Sequence, residues 1–180
     1  APNITYSGSP FTYKVGTAVS TLTPANSGGV IDSCTISPAL SAGLSFNTTT
    51  CVISGTPTTP QPSTAYTITA TNSAGSSVTA INVTVNDIAP NFSYPSSPYT
   101  FSVSNAIAAV TPTSTGGTIT SCSSSPALPS GLTLSANCGI TGTPTSPSGA
   151  SNYSITGTNT GGTKTSTINI KVNDVAPVIS

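Results

Sequence analysis

The chain of 180 residues has very few charged side chains, and their scarcity excludes several classes of function. It has no His, Met or Trp, and only 3% of its residues are charged, against about a quarter in an average soluble protein. Nucleic-acid binding needs clusters of Lys and Arg that displace counterions, and binding to an anionic membrane surface needs the same clusters. We therefore expect neither nucleic acid nor a membrane surface as a partner.

The residues of catalytic sites are missing as well. Acid–base and nucleophilic catalysis need a His, paired carboxylates or an activated hydroxyl, and phosphate chemistry needs a Gly-rich loop. The sequence has no His, no paired carboxylates and no Gly-x-Ser-x-Gly motif. It also lacks the run of about 18 apolar residues that spans a bilayer. We expect a protein that is not an enzyme, needs no cofactor and does not insert into a membrane.

The sequence repeats itself. Sliding the chain by 88 positions superposes Ala1-Pro2-Asn3 on Ala89-Pro90-Asn91 and Cys34 on Cys122. A deletion within residues 47–50 then changes the offset to 87 for the rest of the repeat. A unit of this size is large enough for a modest core of its own.

The repeat sets the expected domains. We predict one domain over residues 1–88 and a second over residues 89–175. Residues 176–180 restart the motif of Ala1 and Ala89, and we interpret them as the start of a third repeat. The chain is then a fragment of a longer array, and a signal peptide and any anchor are expected outside it.

Apolar and polar residues alternate through both copies. In the stretch from Tyr66 to Thr71, Tyr, Ile and Ala face one way and three Thr face the other, as in a strand with one wet face. Such segments recur about every 8 to 12 residues, with turn signals between them and no helical period. The pattern predicts an all-β fold, with two tandem antiparallel β-sandwich domains of about seven short strands each. The strands predicted in the first copy are Phe11–Val15, Val19–Thr23, Val30–Ile36, Leu44–Phe46, Cys51–Ser54, Tyr66–Thr71 and Ile81–Val85.

The aromatic residues fall at the apolar phase of this alternation. We interpret them as core residues, because a stacking platform for sugar would need them exposed. The pairs related by the repeat are Tyr6 and Tyr94, Phe11 and Tyr99, Tyr13 and Phe101, and Tyr66 and Tyr153.

The four cysteines form two equivalent pairs. Four Cys allow three pairings, and the repeat favours Cys34 with Cys51 and Cys122 with Cys138. Each bond would contribute about 3 kcal/mol in the chain-entropy account. Free buried thiols and a zinc site are the alternatives, although no CxxC pair or His accompanies these cysteines. Disulfides would indicate an oxidising compartment.

Several longer motifs recur in both copies. The first copy reads Gly43-Leu44-Ser-Phe46 and Ile53-Ser-Gly-Thr-Pro57, and the second reads Leu128-Pro129-Ser-Gly131-Leu132 and Ile140-Thr-Gly-Thr-Pro144. On these motifs the chain resembles the immunoglobulin-like (Ig-like) repeats of bacterial surface proteins, which are related to dystroglycan-type cadherin-like modules. The resemblance covers essentially the whole chain and implies an Ig-like or cadherin-like sandwich. Cys51 stands where the common pattern has Gly, which makes this a disulfide-bearing variant.

The resemblance also implies a setting. Repeats of this kind are displayed in tandem on large exported bacterial proteins, so we expect an extracellular location at a bacterial cell surface. Our first hypothesis is a stalk and adhesion segment whose partners are the neighbouring repeats. The second is direct binding of a host or cell-surface protein or a glycan, and the third is an accessory module of a secreted polysaccharide-degrading enzyme.

The junction between the copies is the one candidate metal site. Asn86, Asp87 and Asn91 look like the interdomain segment of cadherins, where Asp and Asn oxygens hold calcium. Calcium takes six to eight oxygen ligands, usually with several carboxylates, and this sequence has no Glu. We name these residues as calcium candidates and favour a capped turn at a domain junction as their role.

The junction also generates a prediction about shape. Asn86-Asp87-Ile88-Ala89-Pro90 contains no Gly, and Pro90 fixes its own φ and favours an extended Ala89. We expect a stiff link that holds the two domains in line. Small-angle scattering at low and high ionic strength should give the same elongated distance distribution, because the few charges leave little for salt to screen. A compact particle, or a distribution that changes with salt, would contradict this prediction.

Overall fold

The computed structural model describes residues 1–175. The chain divides into two compact units, Ala1–Asp87 and a second unit that begins at Ile88. The boundary lies one residue before the one expected from the repeat. The predicted start of a third repeat at residues 176–180 lies outside the described residues.

Within the described residues, each unit contains eight strands. In the first they are β1 (Ile4–Thr5), β2 (Phe11–Lys14), β3 (Ala25–Asn26), β4 (Ser33–Ser37), β5 (Leu44–Phe46), β6 (Ile53–Gly55), β7 (Gln61–Asn72) and β8 (Gly75–Asn86). In the second they are β9 (Phe92–Ser93), β10 (Tyr99–Ser102), β11 (Thr113–Ser114), β12 (Ser121–Ser125), β13 (Leu132–Leu134), β14 (Ile140–Gly142), β15 (Ser148–Asn159) and β16 (Gly162–Asn173). In the described part of the chain, no helix is long and apolar enough to cross a membrane.

The main sheet of each unit has four strands, in the order β2-β8-β7-β4 and β10-β16-β15-β12. The other layer consists of the pairs β1–β3 and β5–β6, with a bridge between Leu22 and Ile53, and the second unit repeats this arrangement. The predicted all-β fold with two Ig-like sandwiches is confirmed. One feature departs from the antiparallel prediction, since β2 pairs with β8 in parallel, from Phe11 opposite Val83 to Lys14 opposite Asn86.

The central hairpin is longer than predicted. β7 and β8 pair from Gln61 opposite Val85 to Asn72 opposite Gly75, with a two-residue loop between them. The outer parts of both strands carry polar residues on both faces, so alternation does not reveal them. The predicted strand Val19–Thr23 is not continuous, because only Val19 and Leu22 donate backbone hydrogen bonds to the neighbouring segment Ile53–Gly55.

Each unit has its own core, built mainly from the inward residues of this hairpin. Tyr66, Ile68 and Ala70 of β7 face the same interior as Ile81 and Val83 of β8. Burying one large apolar side chain contributes about 1.5–3 kcal/mol. The core of the second unit is equivalent and contains Phe92, Tyr94, Val103, Val110, Leu132, Cys138, Ile140, Tyr153, Ile155, Ile168, Ile170 and Val172.

The recurring glycines mark a contact between two backbones. Gly43 has φ +87°, and a Cβ there would lie 2.0 Å from the carbonyl oxygen of Thr56. The N–H of Thr56 in turn donates to the Gly43 carbonyl at 2.9 Å. Gly55 has φ +119°, and its Cβ would lie 2.3 Å from the Gly43 carbonyl oxygen. Any side chain at either position would separate β5 from β6. The Gly-Leu and Ile-x-Gly-Thr-Pro motifs therefore record close packing rather than a binding site.

Gly43→Ala should destabilise the first domain by about 2–4 kcal/mol, since it adds both a steric clash and the cost of a positive φ. Gly16→Ala is the matched control, because Gly16 has φ +75° and nothing lies within 4 Å of its Cβ position. The control should lose about 1–2 kcal/mol. Denaturant unfolding followed by circular dichroism measures both variants, and equal losses would contradict the role given to the backbone contact.

Candidate functional site

The cysteines lie at equivalent places in the two domains. Cys34 of β4 is bonded to Cys51 on the loop before β6, with Cα atoms 5.4 Å apart, and Cys122 of β12 is bonded to Cys138, with Cα atoms 5.3 Å apart. These are the pairs that the repeat favours, and no cysteine among the described residues is free. Each bond ties an edge strand of the main sheet to the opposite layer of its sandwich. Disulfides in an Ig-like fold are typical of extracellular domains.

The second cysteine of each pair has an unusual backbone conformation. Cys51 has φ +58° and Cys138 has φ +65°, in the left-handed region that glycine adopts most readily. This conformation fits the Gly that the resemblance implies at the position of Cys51. In this chain the disulfide to the edge strand requires a Cys side chain, although the backbone conformation at this position favours Gly.

A tyrosine binds the backbone of the same cysteine in both domains. The Tyr6 hydroxyl, just after β1, donates to the carbonyl of Cys51, and the Tyr94 hydroxyl, just after β9, donates to the carbonyl of Cys138 at 2.6 Å. Burial raises the pKa of Tyr6 to about 12. Burial also raises the pKa of Tyr94 above its ordinary value, with a further contribution from Tyr99. The N-terminal strand is thereby fixed to the disulfide loop.

Sequence reasoning placed these tyrosines in the core but missed the role of the hydroxyl. A signal was present, because Phe and Tyr exchange between Phe11 and Tyr99 and between Tyr13 and Phe101, whereas Tyr6 and Tyr94 are both Tyr. The other aromatic residues do pack on the cores. Tyr66 and Tyr153 are buried, and Phe11, Tyr13, Tyr99 and Phe101 are half-buried against the same clusters.

A buried asparagine holds the beginning of the second domain. The Nδ2 of Asn159 donates to the carbonyls of Ile88 at 2.7 Å and Thr118 at 3.0 Å, and its Oδ1 accepts from the N–H of Gly161 at 2.8 Å. Three hydrogen bonds satisfy the amide and offset the cost of burying it. The repeat aligns Asn159 with Asn72, but the sequence did not reveal that the side chain binds the chain entering the domain.

The calcium candidates belong to different units. Asn86 is the last residue of β8 and its carbonyl accepts from the N–H of Val15, while Asp87 ends the first unit. Asn91 lies in the second unit, where its Nδ2 donates to Thr115 Oγ1 at 2.8 Å. Within residues 1–175, no group of three or more His, Cys, Asp or Glu could hold a metal ion. Calcium binding at the junction stays a prediction.

Tyr6→Phe should lower the free energy of unfolding of the first domain by about 1–3 kcal/mol, because it leaves the buried Cys51 carbonyl without its donor. Tyr13→Phe is the matched control, since the Tyr13 hydroxyl is buried without a hydrogen-bond partner. Its removal should be neutral or stabilising. Denaturant unfolding at neutral pH compares the two, and an equal or larger loss in the control would contradict this reading.

The pH dependence of the free energy of unfolding gives a second test of the Tyr6 hydroxyl. Below about pH 10 both the folded and the unfolded Tyr6 are protonated. Between about pH 10 and pH 12 the unfolded tyrosine loses its proton while the folded one keeps it, so stability falls as the pH rises. Tyr6→Phe should make this fall smaller, and an unchanged slope would show that another group causes it.

Comparison with known proteins identifies one family. The family model described as "Putative Ig domain" matches the chain twice, over residues 1–86 and 82–173. No curated protein matches the sequence.

Several solved structures of tandem Ig domains have a similar fold. Titin fragment A168169 has a TM-score of 0.59 at 12% identity, with 96% of this chain and 99% of that chain covered. Sidekick-1 immunoglobulin domains 1–4 have a TM-score of 0.55 at 13% identity, with 96% of this chain and 48% of that chain covered. The insect immune protein hemolin has a TM-score of 0.53 at 15% identity, with 97% of this chain and 47% of that chain covered.

At these identities the structural likeness shows the fold alone, and the chain spans about half the length of the Sidekick-1 and hemolin structures. The family match is stronger evidence, because its two segments include nearly every described residue. The chain therefore belongs to the family described as "Putative Ig domain", and consists of two consecutive Ig-like domains.

Proposed function

We propose that this chain is a non-catalytic stalk and adhesion segment of an exported bacterial cell-surface protein. In this role the tandem domains hold a binding region away from the cell and contribute surface to it. The observation that carries the proposal is the parallel pairing of β2 with β8 and of β10 with β16. A stalk must bear load along the chain, and this pairing determines how each domain meets such a load.

The parallel pair resists a pull on the two ends of a domain. β2 lies near the start of the domain and β8 ends it, so a force on the termini draws the two strands in opposite directions along their axes. Because the strands are parallel, this motion slides one along the other and loads their hydrogen bonds together. An antiparallel pair of terminal strands would instead open one bond at a time.

The disulfides and the composition support the same role. The bond between Cys34 and Cys51 prevents the loop it closes from extending, so less chain is released if the domain opens. Because few side chains are charged, the electrostatic interactions of the surface change little with salt concentration. Both properties suit a protein outside the cell, where ionic conditions vary and oxidising conditions preserve the bonds.

Direct binding of a glycan or a host protein is the second candidate, favoured by a cleft in the second domain. The cleft has a volume of about 360 Å³, and four of its eight lining residues, Thr111, Ser114, Thr118 and Asn137, carry hydroxyl or amide groups. These groups donate and accept hydrogen bonds without charge, as a neutral polar ligand requires. Binding of the intact chain to a glycan array would favour this candidate over a pure spacer.

Val15→Pro should lower the force at which the first domain opens when single molecules of the chain are stretched by their ends. The N–H of Val15 donates to the carbonyl of Asn86 at 2.9 Å, and proline removes that donor from the loaded pair. Thr12→Pro is the control, because alternation along the strand directs the N–H of Thr12 away from β8. If both variants lower the force equally, the parallel pair does not carry the load.

A further inference from the structure

The second domain has an edge strand with backbone groups on its open side. Among the described residues, β10 is the outer strand of its sheet and pairs with β16 alone. The N–H of Val103 donates to the carbonyl of Asn173 at 3.0 Å, so alternation directs the backbone groups of Tyr99 and Phe101 toward β16 as well. The backbone groups of Thr100 and the N–H of Ser102 point to the open side, and the Ser102 carbonyl accepts from the N–H of Asn105 at 3.3 Å and keeps one lone pair for a further donor. Such an edge is a template for another strand.

The corresponding edge of the first domain is protected. Lysine on an edge strand discourages pairing, because its charge would have to be desolvated. Lys14 lies at this position in β2 and is exposed, and the repeat aligns it with Ser102. β10 itself carries no charge. The nearest lysine, Lys171, lies on β16 opposite Thr100, one strand further from the edge.

Apolar surface lies directly beside the free edge of β10. Two clefts of about 290 Å³ and 330 Å³ separate β10 from the segment 105–111, and both are lined by Phe101 and Ala108. The Tyr99 ring borders the first cleft, with its centroid 6.0 Å from that of Phe101, and Ile107 borders the second. A strand added to this edge would therefore gain backbone hydrogen bonds and also cover apolar side chains.

We propose that two copies of this chain associate through β10, with the strands antiparallel about a two-fold axis at Phe101. Thr100 of each copy then lies opposite Ser102 of the other, and each such pair exchanges two backbone hydrogen bonds. The two Phe101 side chains meet across the axis as a cross-strand aromatic pair. The two main sheets become one continuous sheet.

A second copy suits this edge for reasons of charge and symmetry. The chain has a formal net charge of zero, so two copies do not repel each other. The same short edge on both copies is self-complementary under a two-fold axis. In this dimer the backbones of the two Lys171 residues are three strand spacings, or about 14 Å, apart. This distance exceeds the Debye length of about 8 Å in physiological salt, so the repulsion between the two lysines is largely screened.

Because β10 has only four residues, the contact between two copies is weak. Display of many copies on one surface would strengthen the association through multivalency. This association does not depend on the stalk role. The domains could bear load as monomers, and the chain could pair without bearing load.

Sedimentation equilibrium of the intact chain over a concentration series tests the proposal. The wild-type chain should form a dimer, and Ser102→Lys should weaken it at least about tenfold, by placing at this edge the lysine that protects the first domain. Thr163→Lys adds the same charge at an exposed position of the central strand β16 and should leave the dimer unchanged. Lys14→Ser opens the second edge and should produce assemblies larger than dimers.

Hydrogen exchange locates the contact. The amides of Thr100 and Ser102 should exchange more slowly as the concentration of the wild-type chain rises, and this change should be absent in Ser102→Lys. A chain that stays monomeric at all concentrations would overturn the proposal. Equal weakening by Thr163→Lys and Ser102→Lys would also overturn it, because charge alone would then explain the effect.

Discussion

The pairing of the last two long strands is the interaction on which the rest of each domain depends. β7 and β8 remain in register over most of their twelve residues, apart from an irregularity between Gln61 and Thr64. The register places Tyr66 opposite Ile81 and directs both toward the core. A slip of one residue would turn every inward side chain to solvent. β2 and β4 attach to the outer sides of this hairpin, so its register also positions the disulfide and the parallel pair.

The scarcity of charge changes what can determine recognition. In most proteins charged side chains steer partners together and keep like molecules apart. Here the outward positions of the main sheets carry mainly hydroxyls, as in the row formed by Ser123, Thr156 and Thr165. Two of these, Thr156 and Thr165, bond to each other at 2.9 Å. With so few charges, we expect recognition to depend on backbone edges, clefts and shape.

Local features of the fold were predictable from the sequence, and features that depend on distant partners were not. Alternation from Tyr66 to Thr71 revealed a strand because one face is buried, and the repeat revealed the cysteine pairs. The parallel pairing of Phe11–Lys14 with β8 left no local pattern, since a parallel and an antiparallel edge strand alternate alike. The hydrogen bonds of Tyr6 and Asn159 reach 45 and 71 residues along the chain, which no window detects.

The two copies show which of these features the fold requires. The backbone contact of the glycines recurs with nearly the same geometry at Gly131, where a Cβ would lie 2.0 Å from the carbonyl oxygen of Thr143. The left-handed cysteine and the tyrosine that binds its carbonyl also recur. The exposed edge of the main sheet differs, with Lys14 in one copy and Ser102 in the other. Because the packing of each sandwich accepts either residue at this edge, the fold itself does not determine which residue stands there.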